Sequence, residues 1–200
     1  MHGGHPSPRG AGDWFAFLLT RALRLSTDLV FRKRYAHRAV VLETVAAVPG
    51  MVGALFSHLR SLRQLEDDDG RIALLAAEAE NERMHLMAFR EIAIPNIAER
   101  VLIWIAQLLF FNAYFLLYLF SRRVAHRMSG YFEEEAIRSY SEFLARLDSS
   151  ELANPPAPPR AQAYWQLPAD ARLNDVVRAV LQDEVRHRDV NHGLSDRLRR

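Results

Sequence analysis

The chain of 200 residues contains no cysteine, and lysine supplies only one of its 26 basic residues. The absence of cysteine excludes disulfide bonds, thiolate metal sites and thiol switches, so any metal must bind through nitrogen and oxygen ligands. The dominance of arginine favours contacts with phosphate groups, either at a membrane surface or on nucleic acid. No helix-turn-helix, zinc-finger or RNA-binding motif accompanies that charge, which argues against a nucleic-acid partner.

The apolar pattern predicts helices only, because no strand alternation, internal repeat or domain boundary is found. We therefore expect an all-α fold of one domain over residues 13–200, after a disordered tail at 1–12 that has no features of a signal peptide. A proline-rich stretch at 154–159 cannot be helical and predicts a stiff connector. The predicted helices cover about residues 13–30, 36–64, 72–93, 101–120, 125–147 and 171–192.

Two of these helices have the character of membrane-interface segments. Residues 13–30 are amphipathic and basic, which is typical of a helix in the headgroup region, although an ordinary packing helix is the alternative. Residues 101–120 carry no charge and are long enough to cross a bilayer, at about 30 Å. We find only one such run, and a single crossing would divide a shared metal site. We therefore expect that helix to lie in one leaflet, with Gln107 and Asn112 facing the protein.

Two Glu-x-x-His pairs, Glu82 with His85 and Glu184 with His187, are the most informative feature. Residues three apart on a helix lie on one face, so each pair can offer a carboxylate and an imidazole to one site. Random placement of 13 glutamates and eight histidines gives about half of one such pair. Two pairs, each on the apolar face of its own helix, therefore indicate a metal site.

Two further glutamates, Glu43 and Glu133, stand in apolar helical surroundings and complete this set. Four carboxylates and two imidazoles are the ligands with which helix bundles hold two iron or manganese ions. Glu133 shares its helical stripe with Tyr140, whereas Glu134 and Glu135 are expected to point elsewhere. Buried salt bridges to arginine are the alternative, but they would not account for the histidine in both pairs.

Tyr140 lies two helical turns after Glu133 on the same face. A tyrosine there could supply an electron and a proton to a metal–oxygen species, or it could pack in the core with its hydroxyl satisfied. The spacing alone favours core packing.

With these residues in view, the chain resembles the alternative oxidases, the membrane-bound di-iron quinol oxidases of cyanide-resistant respiration. The resemblance runs from about Asp28 to Asp196, and four blocks carry it: Leu42-Glu-Thr-Val-Ala46, Asn81-Glu-Arg-Met-His-Leu86, Glu133-Glu-Glu-Ala-Ile137 with Ser139-Tyr140, and Asp183-Glu-Val-Arg-His-Arg-Asp-Val-Asn-His192. It implies a ferritin-like four-helix bundle with two additional membrane-interface helices. It also implies two iron ions ligated by Glu43, Glu82, His85, Glu133, Glu184 and His187.

The resemblance implies roles for further residues, with Tyr140 as the redox-active tyrosine. Residues that hydrogen-bond around the ligands would be Asn81, His126, Trp165 and Asp183. The quinol pocket would include Arg38, Leu42, Phe132, Glu135, Ala136, Ser139 and Tyr140. Arg38 could donate to a quinol oxygen or could lie at the membrane interface, and both readings stay open.

The chain departs from the family pattern at three points. Phe132 and Ala39 stand where other members often carry Leu and Cys, so quinone fit and inhibitor sensitivity are expected to differ. Arg186 replaces a residue that is commonly His, Ala or Glu, and we expect it to point away from the ligands with little effect on metal binding. A regulatory cysteine is absent, so thiol-based activation by 2-oxo acids is not expected.

The function implied is a monotopic ubiquinol:oxygen oxidoreductase that reduces O2 to water with electrons from two ubiquinols and pumps no protons. The alternatives are a plastid quinol oxidase, a di-iron quinone-ring hydroxylase, a ferritin-like iron-binding protein, and a membrane anchor without a metal. The predicted location is the cytoplasmic face of a bacterial inner membrane, with the matrix side of the mitochondrial inner membrane as the alternative. The resemblance also implies a homodimer that uses the region 36–64.

Overall fold

The structure is a computed structural model that describes residues 7–32 and 34–198, and within these ranges it contains seven helices and no strand. The prediction of an all-α fold is therefore confirmed. The helices are α1 (Ala11–Phe31), α2 (Tyr35–Gln64), α3 (Arg71–Arg90), α4 (Ile97–Phe120), α5 (Arg122–Asp148), α6 (Pro159–Trp165) and α7 (Leu173–Arg197).

Four ends of the predicted helices differ from the observed ends by three or more residues, and one helix was missed. The short helix α6 begins at Pro159, whose fixed φ suits the first turn, and the proline-rich stretch before it is not helical. That stretch is held by backbone hydrogen bonds from Ala157 N to Ala171 O, at 2.8 Å, and from Leu173 N to Pro155 O, at 2.9 Å. Of the predicted tail, residues 1–6 lie outside the described residues, and α1 already begins at Ala11.

The chain divides into two compact units, and the prediction of one domain stays a prediction. The first contains α1, α5, α6 and α7, and the second, Ala36–Phe120, contains α3, α4 and nearly all of α2.

In the first unit α5 packs against both α7 and α1. The contact with α1 is made by ion pairs and by an aromatic pair. Arg123 Nη1 donates to Asp13 Oδ1 at 2.6 Å, and Arg24 Nη1 donates to the main-chain oxygen of Glu135 at 3.0 Å. The rings of Phe17 and Tyr131 meet edge to face with centroids 5.4 Å apart. α5 is consequently enclosed on more than one side, and more than half of its residues are buried.

In the second unit α2 and α3 approach closely at glycines of α2. A Cβ added to Gly50 would lie 2.7 Å from Leu75 O, so only hydrogen fits between the two backbones. α4 contacts α2 through Gln107, whose Nε2 donates to Thr44 O at 2.9 Å, and through the stacked rings of Phe56 and Tyr118, 5.2 Å apart. The expectation for Gln107 agrees with this contact, although the residue as a whole is exposed.

The expectation that Asn112 faces the protein is wrong. Asn112 is exposed, and its amide donates to Leu108 O of the same helix at 2.7 Å. The residues that α4 buries near it are Tyr114 and Tyr118. A polar side chain on a helix can satisfy itself on the carbonyl four residues earlier, so polarity alone did not identify the buried face.

By length and composition two helices, α2 and α4, could cross a membrane, which corrects the expectation of one such run. Half of the most apolar stretch of α2 is buried in the protein, as in the core helix of a soluble protein. Only 11% of the most apolar stretch of α4 is buried. α1 also exposes large apolar side chains, among them Trp14, Phe15 and Leu18. Exposed apolar surface is therefore concentrated on α1 and α4.

Candidate metal centre

In the second unit three of the predicted ligands come together. Glu82 and His85 lie one turn apart on α3, and Glu43 lies on α2. Nδ1 of His85 is 3.2 Å from Glu82 Oε2 and 3.5 Å from Glu43 Oε2. All three side chains are buried, with at most 4% exposed, and their ligand atoms lie within 4.8 Å of one another. The spacing in the sequence therefore predicted this contact correctly.

The chemistry of these donors fits a metal ion. Two buried carboxylates at this separation repel each other, and removing them from water costs several kcal/mol per charge unless a cation is present. An imidazole nitrogen directed at both oxygens completes a set of hard oxygen and nitrogen donors, the type that binds iron and manganese. The contacts of Glu43 and Glu82 with His85 also differ from the arginine salt bridges that were the alternative explanation.

In the first unit the other three predicted ligands are buried on neighbouring helices. Glu133 lies on α5 and is 5% exposed, and Glu184 and His187 lie on α7 and are 1% and 7% exposed. Nδ1 of His187 is 3.9 Å from Glu184 Oε2, so this pair also presents its two donors on one face of its helix.

Glu134 and Glu135 are buried as well, but their contacts differ from one another. Oε1 of Glu134 is 3.1 Å from Nε2 of His192 on α7. Oε1 of Glu135 accepts from Arg21 of α1 at 3.0 Å, and its other oxygen lies 3.3 Å from Arg138. The three consecutive glutamates are therefore all buried, because α5 is covered on several faces.

The predicted hydrogen-bonding residues around the ligands include one contact pair. Nε1 of Trp165 donates to Oδ2 of the buried Asp183 at 2.9 Å, and Arg186 donates to Oδ1 of the same carboxylate. Arg186 is largely exposed, as expected, yet it holds the residue next to Glu184. That it has little effect on metal binding stays a prediction. Asn81 is buried, at 7% exposed.

His126 connects to a predicted ligand through one intermediate residue. Nδ1 of His126 is 3.0 Å from Oδ1 of Asn191, and Nδ2 of Asn191 donates to the main-chain oxygen of His187 at 3.1 Å. A contact of this kind orients the ligand-bearing turn.

Three of the seven predicted quinol residues are buried, and the other four are half-buried. Tyr140 is 5% exposed and Arg38 only 2%, which argues against Arg38 as a headgroup contact at a membrane interface. Glu135 already pairs with Arg21 and Arg138, so those cations neutralise its charge. The remaining residues are half-buried: Leu42, Phe132, Ala136 and Ser139.

A buried polar group that the sequence analysis did not single out consists of Arg127, Glu134 and His192. The signal that could have identified it is the seven-residue spacing of Arg127 and Glu134, which places opposite charges two turns apart on one stripe of α5.

Comparison with known proteins gives a consistent result. The family model described as "Alternative oxidase" matches residues 1–196. The chain is 56% identical to "Ubiquinol oxidase 1a, mitochondrial" of Arabidopsis thaliana over 192 residues, which are 96% of this chain and 54% of that protein. It is 52% identical to "Ubiquinol oxidase, mitochondrial" of Batrachochytrium dendrobatidis over 194 residues, 97% of this chain and 61% of that protein. The chain thus spans between half and two thirds of the length of these relatives.

Proposed function

The chain belongs to the alternative oxidase family, and we propose that it is a quinol oxidase that transfers electrons from ubiquinol to O2 at a di-iron carboxylate site. The buried cluster of Glu43, Glu82 and His85 is the observation that carries this proposal, because burying neighbouring carboxylates costs several kcal/mol per charge and a bound cation offsets that cost. The all-α architecture agrees with the four-helix bundle of the family, and the relatives compared above are named ubiquinol oxidases.

Two irons would be held by Glu43, Glu82 and His85 of α2 and α3 together with Glu133, Glu184 and His187 of α5 and α7. When bound, they would supply the site at which O2 is reduced and the storage of electrons between successive quinols. Four carboxylates neutralise two divalent ions, and hard oxygen ligands favour the higher oxidation state.

The chain's own residues then orient the site and deliver electrons and protons. Trp165 donates to the carboxylate of Asp183, which helps to position the turn of α7 that carries Glu184. Tyr140 lies on the face of α5 that carries Glu133, where its phenol can pass one electron and one proton at a time. Arg38 is buried and can donate to a quinol oxygen. Two ubiquinols and one O2 give two quinones and two waters, a balance that requires no proton transfer across a membrane.

The protein would associate with one leaflet of a membrane through α1 and α4. Both helices expose large apolar side chains, and Arg21 on α1 is 43% exposed, which suits contact with phosphate headgroups. We place it on the cytoplasmic face of a bacterial inner membrane. The alternative is the matrix side of the mitochondrial inner membrane, and the word "mitochondrial" in the names of the relatives supports that organelle. A homodimer is part of the proposal.

The test is O2 consumption by membranes that contain the protein, with ubiquinol added and cyanide present. We expect cyanide-resistant uptake that is lost in Glu184→Ala, while a matched surface change, Glu142→Ala, retains it. Iron-loaded protein that consumes no O2 with quinol would contradict the oxidase. A hydroxylated quinone product or stored iron would then identify the alternatives.

A further inference from the structure

Three polar side chains, none of them a proposed ligand, are buried together between α5 and α7. Arg127 and Glu134 lie on α5 and His192 on α7, and all three are at most 9% exposed. Nη1 of Arg127 is 2.9 Å from Nδ1 of His192, and Nε2 of His192 is 3.1 Å from Oε1 of Glu134. The imidazole therefore bridges an arginine and a glutamate two helical turns apart.

The contacts fix which nitrogen of His192 carries the proton. Arg127 can only donate, so Nδ1 accepts and Nε2–H donates to Glu134. Burial and the nearby Arg127 lower the pKa of His192 from 6.5 to about 4, so the ring is neutral near neutral pH. A neutral ring with one donor and one acceptor is thus matched to its two partners.

α5 has a place for this ring because residue 130 is a glycine. A Cβ added to Gly130 would lie 2.4 Å from His192 Nδ1, far inside contact distance. Tyr131 meets the ring edge to face at 5.3 Å. His192 therefore lies along a stripe of α5 formed by Arg127, Gly130, Tyr131 and Glu134.

Neighbouring contacts repeat the same register. Ser195 donates to Arg123 O at 2.9 Å, and Asn191 is 3.0 Å from His126, so higher numbers on α7 meet lower numbers on α5. Both helices rise about 1.5 Å per residue. The two helices therefore run antiparallel, and Arg127 of α5 is level with His192 of α7. Seven residues further along α5 is Glu134, and the residue of α7 at the same level is Val185, seven residues before His192. Glu133 is then level with the turn that begins at Glu184.

We propose that His192 is a positioning residue that, by bridging Arg127 and Glu134 over Gly130, sets the register of α5 on α7 and so the placement of Glu133 relative to Glu184 and His187. This rests on the proposed function, because those three residues are its proposed ligands. A slip of one turn would move Glu133 by about 5.4 Å, too far for a shared ion.

The test compares His192→Phe, which keeps a ring without its nitrogens, with His192→Gln, whose amide can accept from Arg127 and donate to Glu134. Iron release from the purified holoprotein to a competing chelator is measured together with kcat and KM for ubiquinol and the Mössbauer spectrum of the iron. For His192→Phe we expect iron affinity to fall by about tenfold or more, as for other residues that orient ligands, with kcat reduced and KM unchanged. His192→Gln is expected to restore most of this loss.

A folding control keeps the test decisive. If His192→Phe does not fold, Gly130→Ala takes its place, because the added Cβ crowds the ring of His192 from α5 and is expected to weaken iron binding similarly. Gly193→Ala, which has open space around it, is the control and is expected to bind iron as the wild type does. If a folded His192→Phe or Gly130→Ala variant retains iron as strongly as the wild type and gives the same Mössbauer spectrum, the proposal is overturned. Wild-type protein that holds two irons without oxidising quinol would contradict only the oxidase function. Wild-type protein that binds no iron would overturn both.

Discussion

Replacement of Gly50 by alanine tests how closely the two ligand-bearing helices of the second unit must approach. The added Cβ would lie 2.7 Å from Leu75 O and 3.0 Å from Ala79 N. Both atoms belong to the backbone of α3, which cannot rotate away, so the helices must separate by about 0.7 Å to reach ordinary contact. Crowding of this kind costs about 1–3 kcal/mol.

The intrinsic preference of alanine for a helix offsets part of this cost, by up to about 1 kcal/mol. Gly193→Ala on α7 has the same intrinsic gain with nothing within 4 Å, so it is the matched control. Gly53→Ala is intermediate, because its Cβ would meet the flexible side chain of Leu75 at 2.9 Å. We therefore expect stability to decrease from Gly193→Ala through Gly53→Ala to Gly50→Ala.

The assay is thermal unfolding of the detergent-solubilised protein together with its iron content. For a protein of this size 1 kcal/mol corresponds to about 2–4 °C, so a cost of about 1–3 kcal/mol should make Gly50→Ala unfold about 2–12 °C below Gly193→Ala. It should also bind iron more weakly, because Glu43 on α2 moves away from Glu82 and His85 on α3. Equal melting temperatures for the two variants would refute the close-approach argument.

Three further predictions follow from single contacts. Tyr140→Phe should retain two irons and lose nearly all oxidase turnover; full turnover would remove the phenol from the mechanism. Trp165→Phe should lower the free energy of unfolding by about 1–3 kcal/mol, because the buried Asp183 loses a donor, and an unchanged denaturation midpoint would contradict that contact. The folded-state pKa of His192 lies below its unfolded value, so the unfolded chain binds the proton first as pH falls from 6.5 to about 4. The free energy of unfolding should therefore decrease by at most about 3 kcal/mol between pH 6.5 and about 4. Melting temperatures measured across this pH range should not show that decrease in His192→Gln.

The spacing of residues predicted the ligand cluster because a helix fixes which positions share a face. Glu82 and His85 needed only their separation of three, and Glu43 was identifiable as a lone charge in an apolar stretch. The contact distances and burial show that these three residues come together, as the spacing predicted, and that they bind a metal stays a prediction.

The same reasoning was less effective where a helix has more than one buried face. α5 is covered by α1 and α7, so Glu134 and Glu135 are buried although they lie off the stripe of Glu133. The partners of these glutamates, His192 and Arg21, lie 58 and 114 residues away in the chain. No local pattern indicates such pairs, because they depend on how the helices pack. Helix α6 was missed for another reason, since seven residues after a run of prolines carry too little periodicity.

The central claim is that Glu43, Glu82, His85, Glu133, Glu184 and His187 hold two irons. The most direct measurement is the number of irons per chain in purified protein loaded with ferrous iron, for the wild type and for His85→Ala, with His58→Ala on the exposed side of α2 as control. The account predicts two irons in the wild type and in His58→Ala, and fewer than two, weakly held, in His85→Ala. Iron content that is the same in all three proteins, or absent from the wild type, would contradict it.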